Sequence, residues 1–202
     1  MTFAAFLLFG YLLGSVSFAV LVSRAFRLAD PRTFGSGNPG ATNVLRSGHK
    51  SAALLTLLGD ALKGWLAMQA ARWLGADSAA VAGAGLAAFA GHLFPVFHRF
   101  RGGKGVATAL GVLGGFSAWL ALACGAVWAA AALLFRYSSL AAICAALAAP
   151  FATAALLVDM RAVLAVSAMS ALLIFRHREN IRRLLSGTES RIGAKKKAAT
   201  GP

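Results

Sequence analysis

The chain alternates long apolar stretches with short polar islands. A helix that crosses a bilayer needs about 20 mostly apolar residues. Residues 3–22, 52–73, 79–97, 117–135 and 140–158 meet or approach that length. Residues 162–175 are fewer but densely apolar, and residues 106–114 form a still briefer apolar segment. So short a segment must tilt, thin the bilayer or pack inside a bundle. The first run lacks a basic leader and is longer than the apolar part of a signal peptide, so it reads as a retained span. The pattern predicts an all-α polytopic membrane protein, with one domain over residues 1–185 and a basic tail over residues 186–202.

Composition supports this reading. Of 202 residues, 59% are hydrophobic and 13% charged, against roughly 45–50% and about 25% in soluble domains. A sphere of this size cannot hide so much apolar surface from water. Cys124 and Cys144 sit in Ala-rich apolar runs without metal-ligand or disulfide spacing, and read as small core residues.

The net charge of +14 would suggest nucleic acid in a soluble chain. Here the cations lie between the spans. With seven helices, all of the 20 Lys and Arg except Lys63, Arg72 and Arg161 fall on one side. Six helices would separate the tail from the other basic connections. The positive-inside rule therefore selects seven transmembrane helices, with the N-terminus outside and the C-terminus cytoplasmic. It also accounts for the charge without nucleic acid. The terminal Lys195-Lys196-Lys197 run reads as a solvated basic end that can meet anionic lipid.

The polar islands carry the candidate chemistry. The first reads Gly35-Ser36-Gly37-Asn38-Pro39-Gly40-Ala41-Thr42-Asn43-Val44-Leu45-Arg46. It contains G-x-G-x-x-G, but an apolar helix precedes it where a dinucleotide fold needs a strand. What remains is a backbone freed by glycine to aim N–H groups at an anion. Ser36, Asn38, Thr42 and Asn43 add neutral hydrogen-bonding groups, and Arg46 adds a bidentate cation. The second island runs from His92 to Thr108, with Gly102-Gly103-Lys104-Gly105 opening the short helix. Glycines and a lysine at a helix N-terminus form an anion site. In the third island, residues 176–189, His177 and Asn180 share a helix face.

Asp60 and Lys63 lie one turn apart inside a span, where buried charges are normally paired; a structural pair is the favoured reading and a substrate-side role the other. Ser138 and Ser139 can cap a helix or line the site. Small residues at Gly111-x-x-x-Gly115 and at Gly83 and Gly85 allow close helix approach. All the glycine-rich and basic islands lie on one membrane face, which suggests chemistry between a soluble phosphate compound and a lipid. A transporter of a phosphorylated anion is the alternative, although no repeat of two halves is visible.

These three islands, in this order and over nearly the whole chain, resemble the bacterial acyl-phosphate glycerol-3-phosphate acyltransferases, the PlsY family. Asp60-x-x-Lys63-Gly64 also fits. The resemblance implies a seven-helix enzyme of the bacterial inner membrane with its site facing the cytoplasm. It would move a fatty acyl group from acyl phosphate to the sn-1 hydroxyl of glycerol 3-phosphate. Lysophosphatidate and phosphate would leave, in phospholipid synthesis. A soluble enzyme that makes acyl phosphate would be a possible partner.

The expected catalytic residues are Ser36, Arg46, Lys104, His177 and Asn180. Gly35, Gly37, Asn38, Gly40, Thr42, Asn43, Gly102, Gly103, Gly105 and Ser139 are expected to bind substrate phosphate, and Asp60, Lys63 and Glu189 to be structural. The chain departs from the family at Ser17, where a proline is expected, and at Ala142, where a second serine is expected.

The chemistry of the residues agrees with that reading. Acyl phosphate is already activated, so no covalent nucleophile is needed. Phosphate cradles, an acyl groove and orientation suffice. No cofactor or metal is expected, because the six acids form no metal-holding cluster in the sequence. The H-x-x-x-x-D pair of thioester-dependent acyltransferases is absent: the fifth position after each histidine is Leu54, Phe97, Gly103 or Arg182.

Overall fold

The computed structural model of the chain describes residues 2–193. Lys195, Lys196 and Lys197 lie outside the described residues. The helices are α1 (Phe3–Gly14), α2 (Phe18–Ala25), α3 (Ala41–Leu45), α4 (Lys50–Trp73), α5 (Ser78–Leu93), α6 (Val106–Phe116), α7 (Ala118–Phe135), α8 (Ser138–Leu156), α9 (Met160–Arg176) and α10 (Arg178–Leu185), with a 3-10 turn at Val96–His98. No strand occurs among the described residues.

Among the described residues, four helical stretches are long and apolar enough to cross a membrane: Phe3–Ala25, Ser78–His98, Ala118–Phe135 and Ser138–Leu156. The pair α9 and α10, bent by 55°, makes a fifth if counted as one span. Helix α4 has 24 residues, but the Asp60–Lys63 pair and its polar ends lower its hydropathy. Helix α6 has 11 residues and packs against α4, α5, α7 and α9.

The first apolar run is two helices rather than one. Ser15 closes α1, and Ser17 leads into α2 with φ −93° and ψ 100°, outside the helical region. A serine thus stands at a break where the family resemblance led us to expect proline. Three residues between the helices interrupt the backbone ladder there. Ser15 Oγ bonds back to the Tyr11 carbonyl at 2.8 Å. The Val16 carbonyl is taken up from α4, by Lys63 Nζ at 2.7 Å.

Close packing rests on small residues. A Cβ on Gly10 or Gly14 of α1 would collide with the α5 backbone at Ala84 and Ala88. One on Gly111 of α6 would strike the Ala61 carbonyl of α4. Without a hydrophobic effect between helices in lipid, such backbone approach supplies the dispersion contact that holds them. Helix α5 touches α1, α4, α6 and α9 and contributes Phe89 and Leu93 to the core. The outer surface is apolar, with Leu133 at 80% and Phe151 at 78% exposure, as expected for lipid-facing side chains.

Candidate active site

Five parts of the chain meet at one end of the bundle: the α2–α4 connection, the start of α6, the start of α8, α10, and residues 186–193. Lys104 Nζ donates to Asn180 Oδ1. Asn180 Nδ2 in turn donates to Glu189 Oε1 at 2.7 Å. Glu189 also accepts from Ser139 Oγ at 2.8 Å and from Arg183 Nε at 2.7 Å. Arg46 reaches Ser190 Oγ at 2.7 Å, and Thr42 and Ser138 share a hydroxyl contact of 3.2 Å. A polar cluster therefore forms from residues up to 144 positions apart.

Residues 186–193 fold back against the domain. Besides Glu189 and Ser190, the backbone N–H of Ile192 donates to the Arg136 carbonyl at 2.6 Å. Arg191 lies over the Tyr137 ring, 5.5 Å from its centroid.

Burial and charge tune the cluster. Burial chiefly lowers the Lys104 ammonium to about 8. Glu189 opposes that shift, while Arg183, Arg176 and Arg46 add to it. His177 is 3% exposed, and burial is the main reason its imidazole falls to about 4. Lys104 and Arg176 push the same way with smaller effect. Burial alone would raise the Glu189 carboxyl, but hydrogen bonds from Arg183, Asn180 and Ser139 hold it below the usual range. His177 Nδ1 lies 2.8 Å from the Leu173 carbonyl. A carbonyl can only accept, so Nδ1 carries the proton and Nε2 presents a lone pair.

The first island behaves differently from its sequence reading as an open anion nest. Gly35 and Gly37 do have positive φ, 61° and 65°. However, Asn43 is 2% exposed, and its Oδ1 accepts from Ser36 N–H at 3.0 Å. Its Nδ2 donates to the carbonyls of Pro31 and Phe34, at 2.6 and 3.1 Å. Gly37 N–H pairs with Phe34 and Gly40 N–H with Asn38. The N–H groups of Ser36, Gly37 and Gly40 thus find acceptors within the loop, and Asn43 shapes it rather than facing outward. Ser36, Thr42 and Arg46 remain exposed and Asn38 half-buried.

The second island is also packed from within. A Cβ on Gly102 or Gly103 would collide with His92, and Gly105, at φ +85°, would collide with Phe89. The glycines bring the loop against α5, and Lys104 is the group that faces the polar cluster. Arg176, which sequence reasoning left without a role, donates to the carbonyls of Gly102 and Gly103 at 2.9 and 3.1 Å. Its place beside His177 was the available signal. Asp60 and Lys63 lie outside this cluster, as a 2.8 Å ion pair within the bundle. Ala142 is buried in α8. Among the described residues no three His, Cys, Asp or Glu side chains come together as a metal-holding group.

The fold and site define an integral membrane protein with a lysine-centred, anion-suited cluster at one end of an apolar helix bundle. The sequence profile of the glycerol-3-phosphate acyltransferase family matches residues 4–187. A glycerol-3-phosphate acyltransferase of Ralstonia pickettii is 60% identical over 198 residues, covering 96% of each chain. One of Nitrosospira multiformis is 58% identical over 197 residues, covering 96% of this chain and 98% of its own. The crystal structure of PlsY (YgiH), an integral membrane glycerol 3-phosphate acyltransferase in its glycerol 3-phosphate form, superposes with a TM-score of 0.88. It is 41% identical, over 95% of this chain and 96% of that one. The chain belongs to the glycerol-3-phosphate acyltransferase family. It is an integral membrane acyltransferase, and the transporter alternative falls away.

Proposed function

We propose that the chain transfers a fatty acyl group from acyl phosphate to the sn-1 hydroxyl of glycerol 3-phosphate at the Lys104 cluster, on the cytoplasmic face of the inner membrane. The observation that carries this reading is the convergence of Lys104, Asn180, Glu189, Ser139 and Arg46 at one end of the bundle. Both substrates carry phosphate, and a lysine and an arginine with hydrogen-bonding neighbours match phosphate oxygens. One related structure is the lysophosphatidic acid form of PlsY, which is consistent with a lipid product here.

The step needs no enzyme-bound acyl intermediate. The sn-1 oxygen attacks the acyl carbonyl carbon, and the bond from that carbon to the phosphate oxygen breaks. Inorganic phosphate leaves with the electron pair. The hydroxyl proton passes to an oxygen of the departing phosphate. Lys104, with Arg46 able to leave its exposed contact with Ser190, stabilises the charge on that phosphate. The low His177 basicity favours this substrate-assisted route over a histidine base. His177 Nε2 and Asn180 would then hold the glycerol 3-phosphate in line, with Ser36, Thr42 and Ser139 as further contacts.

Seven crossings suit this site. Helices α4 to α9 alternate in direction, so that the starts of α6 and α8 and the end of α9 share the site end. Arg161 meets Ser78 at the start of α5, and Trp73 and Trp119 are exposed at ends remote from the site, as in an interfacial aromatic belt. The α1–α2 pair would make one broken crossing and α6 a short inner one. A soluble enzyme delivering acyl phosphate remains a candidate partner.

The test is direct. Protein purified in detergent receives acyl phosphate and glycerol 3-phosphate. Release of phosphate in step with lysophosphatidate is expected. Phosphate release that does not require glycerol 3-phosphate, or activity with acyl thioester alone, would overturn the donor assignment.

A further inference from the structure

A second polar cluster lies inside the bundle, away from the proposed chemistry. Asp60 is 2%, Lys63 1% and His92 7% exposed. Lys63 Nζ is 2.8 Å from Asp60 Oδ1 and donates to the Val16 carbonyl in the α1–α2 break. His92 Nδ1 stands 3.5 Å from the same Asp60 oxygen. Charges within a spanning bundle are expensive, and an apolar pair of similar volume is often as stable. Because Asp60 and Lys63 share one helix, their mutual attraction does not join helices.

The other side of His92 faces the turn that carries Lys104. The His92 carbonyl accepts from Gly103 N–H at 3.1 Å. The ring edge is so close to Gly103 that a Cβ there would collide with Nε2. Arg176 holds the same turn from α9 through the Gly102 and Gly103 carbonyls. A small cavity lined by Ser15, Ser17, Lys63, His92, Gly102 and Gly103 joins the ion pair to the turn.

We propose that His92 is a positioning residue for Lys104, with its ring oriented by Asp60. Lys63 neutralises Asp60 and pins the broken first helix. The cluster sets where the ammonium stands when a phosphate binds. This inference rests on the acyl-transfer reading above.

The test compares wild type with His92→Phe, His92→Asn and the neutral double substitution Asp60→Asn with Lys63→Met. KM is measured separately for glycerol 3-phosphate and acyl phosphate, beside kcat and melting temperature. His92→Phe and the double variant should raise KM about tenfold for one substrate, with kcat within about threefold of wild type. That substrate is acyl phosphate, whose departing phosphate Lys104 stabilises, and the KM for glycerol 3-phosphate should stay near wild type. His92→Asn, whose amide places a donor where Nδ1 stands near Asp60, should restore KM to within about twofold. If a variant does not fold, the other two carry the comparison. Unchanged KM with a lowered melting temperature would overturn the proposal, as would wild-type KM in every folded variant. Failure of wild type to make lysophosphatidate would strike the acyl-transfer reading instead.

Discussion

Lys104 Nζ donates to Asn180 Oδ1 across 76 positions of sequence. This bond joins the turn before α6 to the helix after α9. Glu189 receives the Asn180 amide on its far side. Burial, more than any single neighbour, weakens the lysine's hold on its proton. The bond thus leaves a partly dehydrated cation beside a polar face, a suitable state for meeting phosphate.

Lys104→Ala should remove most turnover while the protein still inserts. Loss of a charge-assisted phosphate contact in a water-poor site costs about 2–4 kcal/mol, roughly 30- to 1,000-fold in rate. Arg46→Ala should fall in the same range, since its exposed contact with Ser190 can be exchanged for substrate. Steady-state kinetics on purified variants is the check, and near-normal turnover in Lys104→Ala would remove the phosphate role.

Activity should decline as pH rises through about 8. The Lys104 ammonium is charged below its value of about 8 and lost above it, so kcat/KM should fall on the alkaline side. In Lys104→Arg the guanidinium stays charged, and that limb should move well above pH 9. A limb still centred near 8 in Lys104→Arg would belong to another group.

His177→Gln should lose mainly affinity for glycerol 3-phosphate and keep measurable turnover. An imidazole lowered to about 4 is neutral at working pH and a weak base. Its buried Nδ1–H already serves the Leu173 carbonyl. Background turnover with normal glycerol 3-phosphate binding would make His177 the base.

Asn43→Ala should act on stability first. Its amide satisfies three backbone groups in the loop, and leaving buried partners unmet costs about 1–3 kcal/mol for each group. A lower melting temperature and faster proteolysis within residues 31–46 are expected. Higher KM at unchanged melting temperature would restore Asn43 as a ligand contact.

Reporter fusions after Arg46, Lys104 and Glu189 should all report the cytoplasm. A periplasmic signal from any one would break the seven-span reading and scatter the proposed site.

The sequence by itself determined the class of solvent, the all-helical fold and the family. Those follow from apolar run lengths, from cation placement and from three ordered motifs, all of which are local along the chain. The helical spacing of His177 and Asn180 was legible too, but not the 55° bend that leaves His177 between α9 and α10. Only the tertiary structure decided which motif residues turn inward to hold the fold and which stay exposed. Asn43 turned inward because a positive-φ loop closed around its amide, and Gly102 and Gly103 met α5 because helix packing left no room for a side chain. Arg176 and His92 became supports for the Lys104 turn, and Glu189 folded back to cap Asn180. Such partners are chosen by which helix ends come to lie side by side, and long-range packing sets that rather than neighbours in sequence.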